Sequence, residues 1–201
     1  MLGHTWKYAA HGVHHWMSAS QELEYWILMV FAMMLPLVRE EMRGVALKSL
    51  WARRHRAMAG FLLGYLLPWA VLGIAVMLLR GEPWIRSYGV AAIGFLAAAL
   101  WQLTPMHASA LISCHRTIPL APTGWRADGD CLRFGFSIGC SCVLSCGFLM
   151  IACALTGHGL LAMVGGMALG LLERWSFRPR TGVVFFGALA LAGYYGLLFL
   201  R

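Results

Sequence analysis

The chain has 201 residues, of which 60% are hydrophobic and 12% charged, about half the charged share of an average soluble domain. Together with a mean hydropathy of +0.70, this excludes an ordinary water-soluble globule and predicts an integral membrane protein. The net charge of +8 lies in short segments between apolar runs, so it reads as topology signal and lipid head-group contact rather than a nucleic-acid surface.

Backbone crossing lipid must satisfy its own hydrogen bonds, and these apolar runs are too long and continuous for barrel strands. The predicted fold is therefore all-α, a polytopic transmembrane helical bundle of about six spans. A polar, histidine-bearing segment, residues 1–22, precedes a single transmembrane domain, residues 23–201. No cleavable signal peptide is expected, because the first twenty residues hold one Lys, several His and no apolar stretch.

In the N-terminal segment, His11, His14 and His15 stand at i, i+3 and i+4. A helix there would put three imidazoles on one face, a spacing that suits a metal. The first span is predicted over 23–38, with Met29 and Met33 on one face and Pro36 ending or kinking it. A basic loop, 39–56, separates it from a second span over 57–79, which carries Gly60-x-x-x-Gly64 and Pro68. The third span, 88–103, runs into Gln102, Met106, His107, Cys114 and His115, a dense set of potential ligands. A polar loop follows, and Cys114 and Cys131 are assigned to it.

The fourth span, 134–155, starts with Gly135-x-x-x-Gly139 and holds four of the six cysteines. At 100° per residue, Cys142, Cys146, Met150 and Cys153 fall within about 80° of one another, while Cys140 points away. A buried Cys usually behaves as a small hydrophobe and Met as a gap-filler. Three thiols and a thioether in register instead point to a soft ion, Cu(I) first. Disulfides within such a stripe are excluded by geometry. The sequence Thr156-Gly157-His158-Gly159 predicts a tight turn. A short fifth span over 158–172 carries Gly166-x-x-x-Gly170 and is expected to pack on the fourth. The sixth covers 182–200.

Of the sixteen Lys and Arg, twelve fall after spans one, three and five. The positive-inside rule then places both termini outside, in the periplasm of a bacterial inner membrane.

Four stretches taken together resemble a bacterial family of predicted metal-binding integral membrane proteins whose members often accompany copper-handling proteins. They are Met29 to Pro36, Trp101-Gln102-Leu103-Thr104-Pro105 continuing to Cys114-His115-Arg116, Gly139 to Met150, and Glu173. The resemblance spans roughly 25–175 and implies a metal, copper above all. The chain departs from the family pattern where Ser145-Cys146 replaces a Cys-Cys pair, His107 a Lys, and Ala110 a Cys. The fifth span also lacks the Met-Asn and Trp-Met pairs around 160–164.

The leading expectation is thus a membrane protein that binds, delivers or transports Cu(I). Its predicted ligands are Cys142, Cys146 and Met150, faced by Met29 and Met33, with Cys114, His107, His11, His14 and His15 as further sites. Its partners would be the lipid bilayer and periplasmic copper proteins or other membrane subunits, in a homo- or hetero-oligomer. The alternative is a non-catalytic accessory subunit of a respiratory or oxygenase complex, with the sulfur stripe used for packing. An enzyme is not expected, since no Ser/His/Asp set, paired carboxylates or ATPase motif is visible. A stripe turned into the bundle toward Met29 and Met33 would favour copper, and one facing lipid would favour the subunit.

Overall fold

The computed structural model describes residues 19–80, 87–115, 121, 124–175 and 181–201. All regular structure among these residues is helical. The helices are α1 (Ala19–Met34), α2 (Arg39–Lys48), α3 (Arg54–Arg80), α4 (Tyr88–Trp101), α5 (Pro105–Cys114), α6 (Trp125–Leu155), α7 (Leu160–Trp175) and α8 (Thr181–Leu200). Short 3-10 turns at Pro36–Val38 and Trp51–Arg53 join α1 to α2 and α2 to α3. Histidines 11, 14 and 15 lie outside the described residues.

Four stretches are long and apolar enough to cross a membrane: Ser20–Lys48, Trp51–Leu79, Trp125–Leu155 and Gly182–Leu200. A fifth is counted if α4 and α5, bent by 78° at their junction, form one span. The expected fifth span is a helix, α7, but its 16 residues reach only about 24 Å at 1.5 Å per residue, short of a ~30 Å hydrocarbon core.

Two boundaries differ from the sequence reading for identifiable reasons. Pro36 interrupts the first helix by one 3-10 turn only, after which the chain re-enters helix at Arg39 inside the expected basic loop. Helix α6 starts nine residues before the predicted span, which takes Asp128, Gly129 and Cys131 out of the expected loop. Its acidic first turn suits a helix N-terminus, and Arg53, at the end of the 3-10 turn, and Arg56, in the first turn of α3, both pair with Asp128, the latter at 2.8 Å.

The central contact is α3 against α6, side by side and parallel. A methyl group at Gly64 would overlap the Leu132 carbonyl, and one at Gly135 the Phe61 carbonyl. At Gly139 the same atom would come 2.6 Å from the Tyr65 carbonyl oxygen. The two small-xxx-small motifs therefore face each other and bring backbone against backbone. The other helices assemble on this pair. Helix α1 seats Trp26 on Gly73 and donates its indole N–H to the Trp69 carbonyl at 3.2 Å. Helix α4 runs against α6, with Gly94 on Ala152 and Trp101 Nε1 donating to Leu144 O at 2.8 Å. Helix α7 folds back on α6 through the Thr156–Gly159 turn, where Gly157 and His158 take φ of 73° and 62°, the left-handed region. Helix α8 closes the bundle, with Tyr195 stacked on Phe95 at 5.6 Å.

If the glycine seam sets the bundle, Gly135→Ala should force α3 and α6 apart at a cost of about 1–3 kcal/mol. In detergent that is expected as a melting temperature lower by about 2–12 °C. Gly193→Ala, where nothing lies within 4 Å of the added atom, should leave the melting temperature unchanged or higher.

Candidate metal centre

The sulfur stripe faces the interior. Cys142, Met150 and Cys153 are fully buried and Cys146 nearly so, whereas Cys140 is partly exposed. Met29 and Met33 are buried in the same core. The structure brings Met33 to Cys153: both the Met33 methyl and the Cys153 sulfur crowd the space that a side chain at Gly166 would take, at 3.1 and 2.7 Å. The Cys153 thiol donates to the Ala162 carbonyl at 3.2 Å.

Cys114 is the unexpected member. The sequence reading placed it in a loop at the basic side. Instead it ends α5, is fully buried, and sets its sulfur 3.8 Å from that of Cys142. Ser145 adds its hydroxyl 3.9 Å from Cys114 and 3.6 Å from Cys146. All six cysteines are free thiols. A metal–thiolate bond of about 2.3 Å puts two sulfurs on one ion roughly 3.8 to 4.6 Å apart, from a tetrahedral to a linear angle. The Cys114–Cys142 separation falls at the short end of that range and far beyond a disulfide bond.

Charged groups surround the pair. Arg174, on the last turn of α7, donates to the Cys142 sulfur at 3.6 Å and also pairs with Glu41 of α2. His107 of α5 places Nε2 3.0 Å from Glu173 Oε1, off the line of a hydrogen bond, so that neither atom has a hydrogen-bonding partner among the described residues. Glu41 Oε2 and Gln102 Oε1 are likewise unpartnered there, and the Tyr65 hydroxyl lies beside Cys142. Ionisable groups held inside a membrane bundle are costly and mark functional sites. Buried polar atoms without partners mark the place where one acts.

Among the described residues no three His, Cys, Asp or Glu side chains gather into a closed metal cage. The donor set suits an ion content with two soft sulfurs, as Cu(I) is. The sequence pattern revealed the stripe but missed Arg174, Glu41, Ser145 and Tyr65. The available signal was the placement of Glu41 and Arg174 at the margins of apolar runs, where a charge can turn back into the bundle.

Residues 23–196 match the family model described as PpoB2, copper chaperone. The chain belongs to this copper chaperone family. No match was found among curated proteins or among solved structures.

Removing one partner of a buried ion pair strands the other, at about 3–5 kcal/mol. Arg174→Gln is therefore expected to cut folded yield sharply by gel filtration. Glu41→Gln/Arg174→Gln should recover most of that yield, because no lone charge remains.

Proposed function

We propose that this copper chaperone family member is an integral membrane protein that carries Cu(I) as its cargo on the thiols of Cys114 and Cys142, with Cys146 beside them, and passes the ion to a partner. The observation that carries this reading is the meeting of two buried thiols from different helices at 3.8 Å, beside an arginine that donates to one of them. Packing alone places cysteines as small hydrophobes and gives no reason to bury a guanidinium against them.

Binding exchanges a proton for the ion at each thiol. Two thiolates with one Cu(I) leave a single negative charge, and Arg174 supplies the compensating positive one inside the bundle. Met150, one turn beyond Cys146, and the Met33–Cys153 contact continue the line of soft sulfurs along α6. His107 stands two turns before Cys114 on the same buried face of α5. No ATPase motif is visible in the sequence, so release would be driven by a partner with higher affinity. The charge distribution supports an orientation with both termini in the periplasm of a bacterial inner membrane and the basic segments in the cytoplasm. Periplasmic copper proteins or other membrane subunits are then the partners within reach, and the N-terminal His11, His14 and His15 would face them.

The test is copper content after purification in detergent under reducing conditions. Wild type is expected to hold about one equivalent of Cu(I), and Cys114→Ser and Cys142→Ser each to lose most of it, since a two-sulfur site fails with either ligand gone. Cys140→Ser should retain it. Ser145→Cys would add a third thiol next to Cys114 and Cys146, and should tighten binding at least about tenfold in competition with a Cu(I) chelator. Copper retained by both single variants would contradict this site. Folded wild type without copper would leave the stripe as packing and favour the accessory-subunit reading.

A further inference from the structure

The chain breaks between α4 and α5. Helix α4 ends at Trp101, the chain turns by 78°, and α5 starts at Pro105. Thr104 secures the break: its hydroxyl donates to the Trp101 carbonyl at 2.7 Å and accepts from the His107 amide at 3.3 Å. The Trp101 indole pins the elbow to the middle of α6 through the Leu144 carbonyl. A break between two apolar half-helices at this level is tolerated where it lines a cavity, and discontinuous helices of this kind frame ion sites in membrane transporters.

The cavity is present. A pocket of about 400 Å³ is lined by Gln102, Leu103, Thr104, Pro105, His107 and Ala108, with Leu111. Two of these residues are polar and almost wholly buried: Gln102 is 5% exposed and His107 1%. Gln102 Oε1 and His107 Nε2 have no hydrogen-bond partner among the described residues, and neither does Glu173 Oε1 behind His107. These groups can all accept, and together they suit a cation or a donor. From His107 the buried face of α5 continues through Ala110 to Cys114, about 10 Å along the helix axis, with only a methyl group between them. Another pocket, about 640 Å³, does not reach the thiol pair. It lies along the outer face of α6 from Asp130 to Leu144, and its one cysteine is Cys140.

We propose that the elbow pocket is the port through which Cu(I) reaches the thiols, with the imidazole of His107 as first protein ligand. This rests on the copper reading above. The volume admits the ion still attached to a small carrier ligand. The step is ligand exchange at constant oxidation state. The bond from Cu(I) to the carrier breaks as the bond to imidazole nitrogen forms. That bond breaks in turn as Cu(I)–sulfur bonds form to Cys114 and Cys142, and the two thiol protons leave to water. Gln102 is a positioning residue that presents its carbonyl oxygen to the pocket beside His107.

The experiment is the rate of Cu(I) transfer from bicinchoninate, followed by loss of the complex's colour, to reduced protein in detergent. The final copper content is measured in the same samples. Ala108→Phe fills the pocket from its exposed rim without touching a thiol. It should slow loading at least tenfold and leave the final content unchanged. His107→Ala should also slow loading, again with the thiol-bound copper retained at the end. Ala190→Phe, an exposed substitution on α8, should load at the wild-type rate. Fold is checked by circular dichroism and gel filtration, and Ala108→Leu serves as the smaller plug should Phe disturb the elbow. Wild-type rates in a folded Ala108 variant and in His107→Ala would overturn the port while leaving the thiol site standing. Wild type that takes up no copper would overturn the copper reading, and the port with it.

Discussion

The architecture depends on the approach of α3 to α6. Gly64 on one helix and Gly135 and Gly139 on the other lie so close to the facing backbone that added methyl groups would strike carbonyls, while Gly60 packs in ordinary contact with Asp128 and Cys131. Lipid is as apolar as leucine, so helices in a bilayer gain little from apolar burial against each other. Close van der Waals packing between small residues supplies the attraction instead. This seam also fixes the rotation of α6. With Gly135 and Gly139 turned to α3, the stripe of Cys142, Cys146, Met150 and Cys153 is directed into the bundle, and Tyr65 of α3 comes to lie beside Cys142.

Around that stripe the fold collects charges that an apolar interior would otherwise reject. Glu41, Arg174, Glu173 and His107 come from three helices and converge just past the midpoint of α6. The pair Arg174–Glu41 neutralises charge locally, which makes burial tolerable without making it favourable, and His107 stands 3.0 Å from Glu173. Replacing all four by apolar residues would be the simpler route to stability. On the proposed function, their presence beside two thiols would answer to a cargo that changes the charge of the site as it arrives and leaves. In that proposal the guanidinium next to Cys142 would offset the negative charge of a bis-thiolate Cu(I) complex.

The break at Gln102–Thr104 shapes the same centre. A continuous helix from Tyr88 onward would continue along α6. The turn at Pro105 instead lays α5 across the bundle and delivers Cys114 to Cys142. In the pattern that the sequence resembles, cysteines stand where this chain has Ala110 and Ser145. Ser145 lies next to Cys114 and Cys146, so one of the missing thiols belongs to the same cluster. The remaining sulfurs suit an ion that accepts low coordination.

The sequence by itself determined the class of the molecule and much of its core. Apolar runs separated by basic segments specify membrane helices, because hydrocarbon leaves the backbone no other way to satisfy its hydrogen bonds. Helical periodicity placed Cys142, Cys146, Met150 and Cys153 on one face and turned Cys140 away, a consequence of local geometry alone. The turn at Gly157–His158 was equally legible. Only the tertiary structure decided which faces meet. Cys114 is 28 residues from Cys142 and Arg174 is 32, and no periodicity links residues on different helices. Near the start of α6, Asp128 pairs with Arg53 and Arg56 at the entrance to α3, partners that no local pattern names. The partners of Glu41 and His107 depend on how α7 folds back. Spacing within a helix is written in the sequence, whereas contacts between helices follow from packing, and the candidate centre is made almost entirely of the second kind.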